Sequence, residues 1–267
     1  MPKRILIALL MFVLGPGAAS ALTLYSYVPG VGYESQGEYQ ATKIEKVAER
    51  AFRSVVIIEG YRESPVYSME LGEDPETGAF SVSVKEIGVE ERKVTSGSGF
   101  FATGDGYIVT NRHVVDGFGA SFWVDTGASR VPAFVAFLDP VYDLALIKIE
   151  GEGYPAIPFG DSSKIEMGDE IVSVGNALGR FVDSVSSGRV ISLDQTVVAR
   201  EKGTVEVLSG LIATDARLYP GDSGGPLLNA RGEAIGVNVA IEAGTNVSFS
   251  IPSNVARVVM ERAGIEV

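Results

Sequence analysis

What most constrains this chain is a long succession of short apolar runs broken by Gly, Asp and Pro. Strand-like segments recur at Val55–Ile58, Phe80–Val84, Ser121–Val124, Val131–Leu138, Leu144–Ile149, Glu170–Val174, Gly188–Ser192, Val205–Ala213, Pro226–Leu228, Ala234–Ala240 and Val247–Ile251. Within "GSGFFATGDGYIVTN" two such runs meet at a tight turn, Asp105-Gly106, which is a hairpin signal. Many short strands between turns predict closed or sandwiched antiparallel sheets, not a parallel α/β layout. The turn-rich stretch "GEGYPAIPFGDSSKIEMG" is placed to join two β units of roughly 100 residues each. Residues 62–79 are acidic and turn-rich and predict a surface loop. One helix is expected ahead of the β region: Thr42 with Glu45 forms a capping-box pattern opening Lys43–Arg53, with Ile44, Val47, Ala48 and Ala51 on one face.

The N-terminal end has a different character. Lys3 and Arg4 precede the apolar run Ile5–Leu14, a Gly/Pro break and the small residues Ala19-Ser20-Ala21. This layout predicts a secretory signal peptide over residues 1–21, with an uncleaved anchor as the alternative. The apolar run is about half the roughly 20 residues that cross a bilayer. Residues 22–41, rich in Tyr and Gly without a clear period, predict an extended arm.

Export bears on chemistry, because the chain has no cysteine and one histidine. It must fold without disulfides, which matter most to domains much smaller than this one. Thiol catalysis and cysteine-zinc sites are excluded, and a zinc centre is not expected with a single imidazole. No metal or other cofactor is implied. The formal net charge is −12, and cleavage after Ala21 would remove two further positive charges. Phosphate backbones are bound mainly through Lys and Arg, so nucleic acid and anionic membrane are poor partners for such a chain.

The single histidine, His113, stands in "IVTNRHVVDG", after an apolar strand that delivers it to a strand end. Asp143 heads the buried run Leu144–Ile149, where a carboxylate partly shielded from water can hold an imidazole in one tautomer. Asp139, before Pro140, is the rival and has the character of a turn residue; Asp116 ranks third. Ser223 lies in "PGDSGGP", where Gly221 lets the backbone bend so that its N–H and that of Ser223 can point to one spot. An ordinary Gly-rich turn with a polar serine is the plain alternative. The order His, Asp, Ser along the chain matches the chymotrypsin-type triad and differs from the subtilisin and α/β-hydrolase orders. The G-x-S-x-G elbow of the latter is absent.

Six stretches in order resemble the HtrA (Deg) branch of trypsin-like serine proteases: "GSGFFATGDGYIVTNRHVV", "DLALIKI", "FGDSSKIEMGDEIVSVGNALG", "SSGRVIS", "IATDARLYPGDSGGPLLNARGEAIGVNVA" and "FSIPSN". The resemblance implies an all-β fold of two six-stranded antiparallel β-barrels with a short N-terminal helix. The protease domain would span 42–267, barrel one about 42–150 and barrel two about 158–255. It further implies His113 as general base, Asp143 as its orienter, Ser223 as nucleophile, and the Gly221 and Ser223 amides as oxyanion hole. No PDZ domain is expected, because only about a dozen residues follow "FSIPSN". Trimerisation through aromatic residues of the arm, Tyr25, Tyr27, Tyr33 and Tyr39, is also implied.

Arg217 departs from the pattern. It stands six residues before Ser223, where the family usually carries a small residue at the base of the primary specificity pocket. Pointing inward, it would favour an acidic side chain or narrow a pocket lined in part by Leu218; pointing outward, it would reach solvent. The stretch Val237–Ile241, with Val239 and Ala240, resembles the strand that pairs with extended substrate backbone, which requires an unfolded or flexible polypeptide. The expected function is a serine endopeptidase of exported protein quality control or processing. The alternative is a latent, chaperone-like binding module on the same fold. A small-ester hydrolase lacks any recognisable lid.

Overall fold

In the computed structural model the residues described are 43–73, 80–117, 119–175, 184–201, 204–241, 245 and 247–266, together with the backbone of three strands nearer the N-terminus. Those strands, β1 (Ile5–Met11), β2 (Thr23–Val28) and β3 (Gly32–Glu38), form an antiparallel sheet in that order. The segment expected as an extended arm thus holds two paired strands, with Tyr27 opposite Tyr33 and Tyr25 opposite Ser35. Its backbone groups are paired in a ladder, which satisfies them better than an isolated extended chain could. Tyr39 of the arm, and residues 1–4 and 12–21 of the expected signal segment, lie outside the described residues.

Helix α1 (Lys43–Phe52) follows, burying Val47, Ala48 and Ala51 as the 3.6-residue spacing requires. The chain from Val47 onward is one compact unit containing two closed barrels. The first is ordered β4 (Val55–Glu73), β5 (Phe80–Phe101), β6 (Tyr107–Asn111), β9 (Leu144–Lys148), β8 (Arg130–Leu138) and β7 (Ser121–Asp125). It closes where β7 pairs with β4, from Ile57 opposite Asp125 to Tyr61 opposite Ser121. Alternation sends Ile58, Ile108, Val124 and Ile147 inward, where all four are fully buried.

The second barrel runs β10 (Glu170–Gly175), β11 (Ser184–Glu201), β12 (Thr204–Thr214), β15 (Ser248–Pro252), β14 (Ala234–Ile241) and β13 (Pro226–Asn229). Ile171, Val190, Ile212, Leu227 and Ile235 fill its core. The connection between the barrels carries one 3-10 turn, Ser162–Lys164, whose N-cap Asp161 accepts a hydrogen bond from the Ser163 amide. All ladders of both barrels are antiparallel, and the two six-stranded barrels are the expected fold.

Two elements differ from expectation. Residues 62–73 of the acidic segment are not a loop: β4 runs on to Glu73 and pairs with β5 as far as Glu73 opposite Phe80, while residues 74–79 lie outside the described residues. Its Glu, Pro and Gly residues are turn-formers by composition, but Tyr67, Met69 and Leu71 alternate on one face, with Met69 opposite Val84 and Leu71 opposite Val82. That period of two decides the structure. The second is helix α3 (Ser253–Arg262), which directly follows β15 and buries Ala256, Val259 and Met260.

Candidate active site

His113 comes from a single helical turn, α2 (Arg112–Val115), immediately after β6. β6 pairs with β9 so that Asn111 stands opposite Leu144, which places the end of one strand beside the start of the other. Asp143 therefore arrives next to His113 through register alone. Its carboxylate grips His113 twice: Oδ2 lies 2.8 Å from Nδ1, and Oδ1 accepts the His113 backbone N–H at 3.0 Å. A carboxylate can only accept, so Nδ1 carries a proton, and in the neutral ring the lone pair is then on Nε2. Asp143 is 1% exposed, whereas the imidazole is partly open to solvent.

Asp143 is also held in an unusual backbone conformation, with φ of +46°. Left-handed backbone at a non-glycine residue costs about 1–3 kcal/mol and persists only where surrounding contacts over-determine it. Here they do, because the Asp143 carbonyl accepts from the Arg112 amide at 3.0 Å and from Asn111 Nδ2 at 3.1 Å.

The loop that bears Ser223 is built as tightly. The Asp222 amide donates to the Tyr219 carbonyl at 2.9 Å, closing a turn with Pro220 second and Gly221, at φ +103°, third. This is the residue pattern of a type II turn, whose third position needs positive φ. The Asp222 side chain returns to the Tyr219 amide at 2.7 Å. Gly224 has φ +89°, and a Cβ there would run into the Ser98 carbonyl and the Thr110 hydroxyl.

Ser98, on β5 of the first barrel, ties this loop down. Its hydroxyl donates to the Gly221 carbonyl at 2.6 Å, and its amide donates to the Ser223 carbonyl at 2.8 Å. Next to it, Gly97 separates α2 from Ser223: a Cβ there would meet Val114 at 2.6 Å and the Ser223 carbonyl at 3.1 Å. Gly97 is thus flanked by the side chain next to His113 and by the Ser223 backbone. The Ser223 hydroxyl donates to the Val239 carbonyl at 3.3 Å.

β13 accompanies β14 only as far as Pro226 opposite Val237. Asn238 is then used by the Ser223 loop, receiving the Gly224 amide at 2.8 Å and donating to the Gly225 carbonyl at 2.8 Å. The edge left for an extended chain therefore begins at Val239, two residues later than the motif suggested. The strand pairing is irregular there, between Asn238 and Ala240.

Arg217 is exposed, with its guanidinium 5.1 Å from the ring centroid of the half-exposed Tyr219, while Leu218 is buried. The side chain is open to solvent, as in the outward of the two alternatives. Asp139 and Asp143 are both buried, but Asp143 alone reaches the imidazole, while Asp139 caps the turn before it.

Residues 97–237 match the family model for the trypsin-like peptidase domain. The chain belongs to that family. It is an HtrA-like member, 32% identical over 228 residues to the protein named serine protease HhoB of Synechocystis sp., covering 85% of this chain and 54% of that one. A DegP-like periplasmic serine endoprotease of Chlamydia trachomatis is 38% identical over 177 residues, 65% of this chain and 34% of the relative. A solved HtrA-type protease, AlgW, with a decapeptide superposes with a TM-score of 0.65 at 27% identity, over 84% of this chain and 67% of that one. The HtrA-like chain spans about half or less of the length of these curated relatives.

Sequence reasoning missed Ser98 as a support of the site. The available signal was a polar residue between Gly97 and Gly99 on a strand that turns from exposed to fully buried at that point.

Proposed function

We propose that this chain is a serine endopeptidase that cleaves locally unfolded or flexible polypeptides. The observation that carries the reading is the two-point grip of Asp143 on His113, which fixes a proton on Nδ1 and so makes Nε2 the basic nitrogen of the neutral ring. In the reaction the Ser223 hydroxyl gives its proton to Nε2 as it attacks the peptide carbonyl, and Asp143 stabilises the imidazolium. The Gly221 and Ser223 amides hold the oxyanion. His113 then protonates the leaving amine, and a water that it activates hydrolyses the acyl-enzyme. Substrate backbone lies along β14 from Val239 and Ala240, with its preceding side chain against Leu218 and within reach of Arg217.

The periplasmic DegP-like name of the Chlamydia relative and the Lys3-Arg4, Ile5–Leu14 and Ala19–Ala21 pattern support export to the periplasm, the cell envelope or outside the cell. The solved HtrA-type structures with bound peptides support peptide substrates. Assembly as a homotrimer through Tyr25, Tyr27, Tyr33 and Tyr39 belongs to the same reading.

The test is incubation of residues 22–267 with a permanently unfolded protein, alongside Ser223→Ala. Cleavage by the wild type and none by the variant is expected. Equal cleavage by both would overturn the triad assignment, and cleavage by neither would establish a latent binding module.

A further inference from the structure

We infer that Asp139 and Arg262 form a positioning pair through which the C-terminal helix holds the carboxylate that orients His113. The inference rests on the triad reading and adds two residues that touch none of the reacting atoms.

Asp139 is wholly buried, and every acceptor it offers is in use. Its Oδ1 receives the amides of Val141 at 2.8 Å and Tyr142 at 2.9 Å, an Asx turn that folds the chain back toward Asp143. Its amide donates to the Leu144 carbonyl at 2.9 Å, closing the loop on the far side of Asp143. Its carbonyl receives Arg112 Nη1 at 3.2 Å, so the residue before His113 is bound to the same loop by its side chain as well as its backbone. The remaining oxygen, Oδ2, meets Arg262 Nη1 at 3.1 Å.

Arg262 is the last residue of α3 and reaches the loop from the opposite end of the chain. Its guanidinium lies 5.8 Å from the ring centroid of Tyr142, inside the same loop. A carboxylate that is fully buried needs a counter-charge, and the amides of Val141 and Tyr142 supply only dipoles. Arg262 provides that charge. With it, Asp139 can hold a turn whose next residue must remain at positive φ for both carboxylate contacts to His113 to be made. Without it, the loop can relax toward ordinary backbone and carry Asp143 away from the imidazole.

A surface ion pair between barrel and helix would also explain an Arg–Asp contact, so the test reads the imidazole itself. The single histidine makes this direct, since any low-field Nδ1 proton resonance belongs to His113. Wild type, Asp139→Asn, Arg262→Met and Arg262→Lys are compared on a flexible peptide, with Ser223→Ala to verify the triad. Arg231→Ala, which breaks the exposed pair with Glu233, serves as a surface control. Folding of each is checked by thermal melting.

Asp139→Asn and Arg262→Met are expected to lower kcat roughly 10- to 100-fold, the cost of misplacing a catalytic group by about 1 Å, with KM little changed. The low-field proton should shift or broaden in both, Arg262→Lys should restore most of kcat, and Arg231→Ala should behave as wild type. Unchanged kcat and an unchanged low-field proton in folded Arg262→Met would overturn the inference, as would a loss of activity fully explained by the unfolded fraction. Cleavage by Ser223→Ala would instead sink the triad reading on which it rests. The resonance can be read without activity.

Discussion

At the residue scale, the active site consists of side chains whose own geometry is fixed by backbone bonds. Asp143 illustrates this: its acceptors hold the His113 ring and amide, while its carbonyl is held from Asn111 and Arg112. Asp143→Asn preserves the shape but can donate to Nδ1 and so select the wrong tautomer. Its kcat is expected to fall about 10⁴-fold with the melting temperature little changed, measured by peptide hydrolysis and calorimetry. Ser98 acts on the other half of the site. Ser98→Ala leaves the Gly221 carbonyl without its 2.6 Å donor, and roughly a tenfold drop in kcat is expected with little change in KM, because the oxyanion turn is loosened while substrate contacts remain. Arg217→Ala should alter a peptide-library profile only through solvent-exposed contacts, in keeping with an exposed guanidinium over Tyr219.

At the scale of elements, two structures carry testable consequences. Beyond Tyr61 and Lys93 the strands β4 and β5 leave the barrel as a two-stranded ribbon. Met69, Leu71, Phe80, Val82 and Val84 on one of its faces are all more than half exposed. Replacing residues 65–89 by a two-residue Asn-Gly turn should leave kcat/KM on a short peptide within about twofold, since the contacts described above for His113, Asp143 and Ser223 are made by other segments. A larger loss would show that the ribbon supports the site. The second element is the inter-barrel connection. Asn254 and Ser163 donate to Asp161, and Lys164 pairs with it, holding its carboxyl well below the usual carboxylate range. With the folded value below the unfolded one, its stabilisation is complete above the ordinary carboxylate range and is lost as pH falls through the depressed folded value. The stability gap between wild type and Asp161→Asn should thus be largest near neutral pH and narrow in acid, followed by the fluorescence of Trp123.

At the scale of the whole molecule, α3 joins what the chain order separates. Ser253 donates to the Gly160 carbonyl at 2.8 Å and Arg257 to the Phe159 carbonyl at 2.6 Å, while the helix packs on β9 of one barrel and on β14 and β15 of the other. Met260, fully buried on that helix, is expected to cost about 2–5 kcal/mol when cut to Ala, measured by urea unfolding. Much of this architecture was legible in advance. Most short strands fall within a residue or two of the expected segments, because a period of two between strong turn residues leaves few other structures. Helix α3 was not read, since it is only ten residues long and its burial depends on surfaces distant in sequence. The ribbon was misread because its charges and its Pro65 look like a loop until cross-strand partners are known. For the site, His113, Asp143 and Ser223 could be nominated from residue type, order and flanking words. Asp143 was already preferred to Asp139 from its place at the head of Leu144–Ile149; the β6–β9 register adds the geometry, bringing that carboxylate to the imidazole while Asp139 turns toward Arg262. The sequence by itself determined the strands, the chemistry and the identity of the imidazole, because those depend on local pattern and on there being one histidine. Only the tertiary structure decided how the Asp143 carboxylate grips the imidazole, where the open edge of β14 begins and what holds the Ser223 turn, because each depends on contacts between residues far apart in the chain.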